Sequence, residues 1–148
     1  MAYLSRRLLV YRSRRFDPQQ ISQADLHKQK RLVYTDFKTN FQLKIGQAAI
    51  VKSDNFELVF LGVVKESRCP ADLNCFESGQ VNIAVKIIAK GHSLGNSQLI
   101  NNASRKDLGI KQVSNYLIEF VKVEPCPKNT QRIKPSDYVI TLIVSYIG

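Results

Sequence analysis

A chain of 148 residues with 44% apolar and 23% charged residues has the composition of an ordinary globular protein, and a domain of that size buries roughly 70% of the surface its unfolded chain exposes. This balance excludes a collagen-like chain, a disulfide-dense miniprotein and a wholly disordered one. With 22 Lys and Arg against 12 Asp and Glu, the net charge of +10 favours association with something acidic: nucleic acid, anionic lipid or an acidic protein surface.

Half of that charge lies in the first quarter of the chain. Residues 1–36 carry eight bases (Arg6, Arg7, Arg12, Arg14, Arg15, Lys28, Lys30 and Arg31) and three acids (Asp17, Asp25 and Asp36), a net charge of +5. The early arginines flank Tyr3, Tyr11 and Phe16, and such alternation of cation and ring suits segments that lie on nucleic acid or on acidic protein. Leu8-Leu9-Val10-Tyr11 adds an apolar stretch that a tail made only for solvent would not need. Boxed in by Arg6, Arg7 and Arg12, this stretch does not read as the apolar part of an export signal. The acid-free, arginine-rich first 16 residues have a composition shared by import presequences and by binding arms; the binding arm is the expectation adopted. Asp17-Pro18 reads as a helix start, with Asp as N-cap and Pro at the first helical position. From Gln19 to about Arg31 only Ile21, Ala24 and Leu26 are apolar, too thin a stripe to hold a helix by itself. Residues 1–36 are therefore expected to be a basic, partly helical arm that orders mainly on something else.

From Phe37 the pattern changes to short β-rich runs separated by turn residues, and residues 37–148 are expected to form an all-β domain, an antiparallel β-sandwich or barrel. Phe41 to Ile45 is followed by Gly46, and Ala48 to Val51 leads into the turn Ser53-Asp54-Asn55. Phe56 to Val64 is apolar at nearly every position, as expected of a central strand covered on both faces. Its stretch from Leu58 to Val64, seven residues long, is the longest apolar run of the chain, far short of the roughly 20 that span a bilayer. Val81, Ile83, Val85 and Ile87 alternate with Asn82, Ala84, Lys86 and Ile88, the signature of a half-buried strand. Gly91 to Gly109 reads as a long polar connection. Tyr116 to Val123 and Tyr138 to Ile147 complete the set, the last with Tyr138, Ile140, Leu142, Val144 and Tyr146 on one face. No repeat of fixed period appears.

The most distinctive segment is Ser67-Arg68-Cys69-Pro70-Ala71-Asp72-Leu73-Asn74-Cys75-Phe76-Glu77-Ser78-Gly79. Its two cysteines, six positions apart with Pro70 and Asn74 bending the chain between them, can meet across a tight loop. Here the sequence resembles a widespread bacterial β-domain, common in cyanobacteria and mostly of unknown function, with an S-R-C-P-x-x-V-x-C-x-W-x-G type signature between two strands. The resemblance covers roughly Phe41 to Val144, including Asp137-Tyr138-Val139-Ile140-Thr141-Leu142. It implies a Cys69–Cys75 disulfide and an extracytoplasmic setting, and it brings no established activity. This chain departs from the pattern where Phe76-Glu77-Ser78 replaces the Trp-containing stretch. Closing so short a loop contributes only about 2 kcal/mol, so folding is not expected to depend on it.

Other chemistry finds little support. Structural zinc takes four ligands in two close pairs, whereas Cys69 and Cys75 are joined only by Cys126, His27 and His92 in no paired spacing, and no metal is expected. Cys126 between Pro125 and Pro127 reads as a free thiol in a turn. Lys90-Gly91-His92-Ser93-Leu94-Gly95-Asn96-Ser97 has glycines but lacks the end of a phosphate loop and contains no nucleophile elbow. Glu66, Asp72 and Glu77 cluster around the cysteine loop and could line a cation or sugar site, but a solvated loop is the preferred reading. No catalytic residue, cofactor or small-molecule substrate is expected.

The resulting expectation is a non-enzymatic structural or interaction subunit. Its arm, through Arg6, Arg7, Leu8, Leu9, Tyr11, Arg12, Arg14 and Arg15, docks on acidic protein subunits of a larger assembly on the cytoplasmic side. Linker proteins of cyanobacterial light-harvesting antennae, the phycobilisomes, are a concrete instance of that class by analogy of charge. Two alternatives stand beside it. One is a nucleic-acid-binding or ribosome-associated protein whose arm arginines meet phosphates. The other is an extracytoplasmic ligand-binding domain whose true start lies upstream.

Overall fold

The computed structural model describes residues 31–74, 79–128 and 132–148. The chain divides between Leu32 and Val33 into two units. Of the first unit only Arg31 and Leu32 are among the described residues, so the helix expected over Gln19 to Arg31 lies, save for its last residue, outside them.

Nine strands are found among the described residues: β1 (Leu32–Tyr34), β2 (Phe41–Lys44), β3 (Ala48–Val51), β4 (Phe56–Glu66), β5 (Gln80–Ala89), β6 (His92–Asn102), β7 (Ile110–Val113), β8 (Tyr116–Glu124) and β9 (Val139–Tyr146). They form a four-stranded sheet in the order β2-β9-β8-β7 and a five-stranded sheet in the order β1-β3-β4-β5-β6. The fold is therefore an all-β sandwich, as the run of short alternating segments predicts.

Alternation places the core. Val81, Ile83, Val85 and Ile87 of β5 are fully buried while their neighbours are half-buried, and Ile140, Leu142 and Val144 of β9 are fully buried in the facing sheet, with Thr141 between them buried as well. Phe56, Leu58 and Phe60 of β4 join them in one continuous cluster with Leu43 and Ile118. Each such side chain contributes about 1.5–3 kcal/mol on leaving water, and a one-residue slip of register would turn the whole set outward. The ladders hold that register, for example Leu58 opposite Ile87 and Ile140 opposite both Leu43 and Val123.

Two expectations need correction. β4 is central in its sheet yet not covered on both faces: Glu57 and Val59 are half-buried, and Leu61 and Val64 are 41% and 54% exposed. Its continuous apolar pattern arises because β4 shifts register between Phe60 and Gly62 and again between Val63 and Lys65, which breaks strict alternation. The polar stretch from Gly91 to Gly109 is not a connection either. It holds the eleven-residue strand β6 and a 3₁₀ turn over Lys106–Gly109. Asn, Ser and Gly can occupy β6 because it is an edge strand held by backbone pairing to β5, with only Leu99 buried. The short strands β1 and β7 carry too few residues to show a period.

Candidate functional site

The cysteine loop joins β4 to β5 at one end of the sandwich, and the residues around it form the most connected polar network described. Ser67 starts the loop and closes its base: its N–H and hydroxyl both donate to the carbonyl of Gln80, at 2.8 and 3.1 Å. Gly79 ends it at φ +72°, a left-handed conformation that favours glycine. A Cβ at that position would lie 1.9 Å from the Ser67 carbonyl oxygen, so no side chain fits there.

Arg68 ties the loop to the facing sheet. Its guanidinium makes a two-pronged pair with Glu66, Nε to Oε2 at 3.0 Å and Nη2 to Oε1 at 2.7 Å. It also donates to the carbonyls of Pro125 at 2.9 Å and Val123 at 3.4 Å. Tyr138, itself 5% exposed, donates its hydroxyl to Glu66 at 3.0 Å from the start of β9. The three side chains thus bridge the end of β4, the end of β8 and the start of β9. Burial pushes the Glu66 carboxyl up, but hydrogen bonds and charge from Arg68 outweigh it and hold the group below the ordinary range. Burial and the bond to Glu66 push the Tyr138 hydroxyl up to about 12. Glu66 is therefore committed to holding the loop rather than open to a cation or a sugar.

Within the loop, Leu73 N–H donates to the Pro70 carbonyl at 3.1 Å and Ala71 N–H donates to Pro127 at 2.8 Å. The Cys69 sulfur lies 3.4 Å from the Leu73 carbonyl oxygen. Cys75 and Glu77 lie outside the described residues, as do Arg6, Arg7, Leu8, Leu9, Tyr11, Arg12, Arg14 and Arg15 of the arm. Cys126 is a free, exposed thiol beside the loop's docking point on Pro127. His92 is exposed at the start of β6. Among the described residues no three His, Cys, Asp or Glu side chains gather to hold a metal, and no helix is long and apolar enough to cross a membrane.

Next to the network runs a feature that the sequence reading missed. β3 accompanies β4 only from Phe56 to Val59, and Phe60 is satisfied by Gln47 and Gly46 at the turn before β3. Beyond that point no described strand lies along this side of β4. A groove of about 410 Å³ opens there, lined by Ile45, Leu61 to Glu66, Pro135 and Tyr138. Its signal in the sequence was present in Leu61 and Val64, which prolong an apolar run past the residues that β3 can pair. The opposite end of the sandwich is closed differently, by the rings of Phe37, Phe56, Tyr116 and Tyr146 with centroids 4.6–6.5 Å apart. There the Tyr116 hydroxyl donates to Asp54.

Comparison of the chain with protein-family models, with curated proteins and with solved structures finds no match.

Proposed function

We propose that this chain is a non-enzymatic interaction subunit: a rigid β-sandwich that carries a basic arm for docking on an acidic protein partner in a larger assembly. The observation that carries the reading is the division of labour along the chain. Among the described residues the hydrophobic core is drawn from Phe41 to Val144, while half of the +10 charge sits in residues 1–36. The most connected titratable group of the domain is consumed in pinning a loop, which suits a body built for rigidity. The loop itself is proposed to be closed by a Cys69–Cys75 disulfide.

The arm arginines act partly through Coulomb attraction, which salt screens with a Debye length of about 10 Å at 0.1 M, whereas burial of Leu8, Leu9 and Tyr11 does not weaken with salt. Association with the acidic partner that co-purifies from the native cell should therefore fall only partly as salt rises. Leu8 and Leu9 changed to Ser should weaken it about as much as Arg14 and Arg15 changed to Ala. A steep log-linear loss of roughly one slope unit per phosphate neutralised, indifferent to the leucines, would instead identify a nucleic-acid binder. If neither double variant alters any association of the native protein, the docking role of the arm is wrong.

A further inference from the structure

The groove along the free side of β4 deepens that reading by naming a second contact and its chemistry. Leu61 and Val64 are among the most exposed large apolar residues described, at 41% and 54%. Both lie on a strand whose neighbour stops short, so backbone donors and acceptors past Phe60 face the groove without a described strand to take them. An open strand edge with apolar side chains beside it is a template for strand addition, and proteins commonly blunt such edges with charge, proline or a cover. Here the register shifts at Leu61 and Val64 twist the edge but leave its apolar side chains in place.

Charge selects the occupant. Lys65 lines the groove, while Lys44 and Lys134 are the sequence neighbours of the lining residues Ile45 and Pro135. All three are exposed, and none forms an ion pair among the described residues. The groove's own carboxylate, Glu66, is taken by Arg68 and Tyr138. Against the lysines stands the exposed Asp137. A second copy of this chain pairing edge to edge would bring two sets of exposed lysines together, in a molecule already at +10. An acidic strand meets no such opposition. From Leu61 to Glu66 the edge spans roughly 20 Å at 3.3 Å per residue, room for a strand of about six residues.

We propose that the β4 edge from Leu61 to Glu66 binds an extended acidic segment of a partner protein by strand addition. Its apolar side chains enter the groove over Ile45 and Val63 and its carboxylates meet Lys65, Lys44 and Lys134. This rests on the reading of the chain as a docking subunit for an acidic partner, and it assigns to the sandwich a site distinct from the arm.

The test uses the full chain and a fluorescent decapeptide in which valine alternates with glutamate, followed by anisotropy at low and at moderate salt. The expected result is saturable binding that weakens at least tenfold with Val64→Glu or Leu61→Glu and several-fold with Lys65→Glu. Val121→Glu, a change at a 41% exposed position on the other sheet, should leave it alone. N-methylation of alternate peptide amides should abolish it, because strand addition needs the peptide backbone, and a valine–lysine decapeptide should not bind. Circular dichroism will show that the surface variants remain folded. Equal binding of the N-methylated or the lysine peptide overturns the proposal, as does indifference to Val64→Glu. So does a dimer, seen by sedimentation of the free chain, that Val64→Glu dissolves, since the edge would then belong to a second copy. The arm variants separate this failure from that of the broader reading. If peptide binding survives Val64→Glu but is lost with Arg14 and Arg15 changed to Ala, the groove is wrong and the arm stands.

Discussion

The two ends of the sandwich use the same chemical unit, a buried tyrosine donating to a carboxylate, for different work. At the Tyr116 end the pair with Asp54 sits among tilted and edge-on rings, and apolar packing closes that end. At the Tyr138 end an arginine is added, and Glu66 becomes the centre of a network that reaches three strand ends and holds a loop in place. The difference is one of reach. A carboxylate with one hydroxyl partner fixes a contact, whereas a carboxylate gripped by a guanidinium, which has donors to spare, fixes a segment. The loop end should accordingly be the more sensitive to single substitutions.

The largest effect should come from Gly79→Ala. The new Cβ would fall 1.9 Å from the Ser67 carbonyl oxygen and the backbone would have to leave φ +72°. A loss of about 3 kcal/mol is expected from strain and displaced loop-closing bonds, readable as a lowered urea midpoint. Arg68→Met should follow at about 2–3 kcal/mol, below the range for a fully buried pair because the Glu66 side chain keeps 24% of its exposure. It should also free the loop, so that amide exchange at Ala71, bonded to Pro127, quickens far more than exchange in β5. Equal losses from matching changes at Asp54 and Tyr116 would sink the distinction between the ends.

How far the sequence reveals this arrangement follows from the range over which each residue acts. β2, β5, β8 and β9 were legible because apolar residues recur along them against a single core, and β3 because a short apolar run ends at a turn. β6 was not, because an edge strand carried by backbone pairing needs no pattern of its own. The cysteine segment was legible as a loop between two strands, and the structure places it there. The duty of Arg68 was not, since its partners Val123 and Pro125 lie 55 and 57 positions away and Tyr138 reaches Glu66 across 72. No local periodicity encodes such a meeting. The groove was missed for a related reason: an apolar run shows that side chains avoid water, and only the length of the neighbouring strand decides whether they succeed.

Smaller effects sharpen the same comparison. Tyr138→Phe removes a bond to a charged acceptor inside the network and should cost about 1.5–2 kcal/mol, while leaving Glu66 to Arg68 alone. Tyr116→Phe also strips a carboxylate of its donor, but its ring keeps its contacts with Phe56 and Tyr146. A cost of about 1.5 kcal/mol is expected, the low end for a hydrogen bond to a charged acceptor. If Tyr116→Phe proves the costlier, the ring cluster depends on its hydroxyl more than its packing implies.

The mildest expected effect is the dependence on pH, and the two kinds of group act in opposite directions. Glu66 is held below its ordinary value of 4.5 in the folded chain, so the stability it contributes is present above that value and is lost as pH falls through the lowered one. Urea midpoints measured from pH 6 down to pH 3 should therefore decline, and the gap between the native chain and Glu66→Gln should narrow with the decline. Tyr116 and Tyr138 are both raised from 10 to about 12, chiefly by burial and then by the carboxylate each faces. Their contribution is complete below pH 10 and disappears as pH rises towards 12, because the unfolded chain gives up those protons first. Phenolate absorbance of the folded protein should accordingly show a late-titrating fraction. Tyr116→Phe and Tyr138→Phe should each remove part of it, and the combined variant should remove it altogether. The Tyr138 portion alone should move when Arg68 is changed to Met, since no arginine stands beside Tyr116 among its interactions. If the Tyr116 portion moves as well, the two ends are coupled through the core and the loop end is not an independent unit.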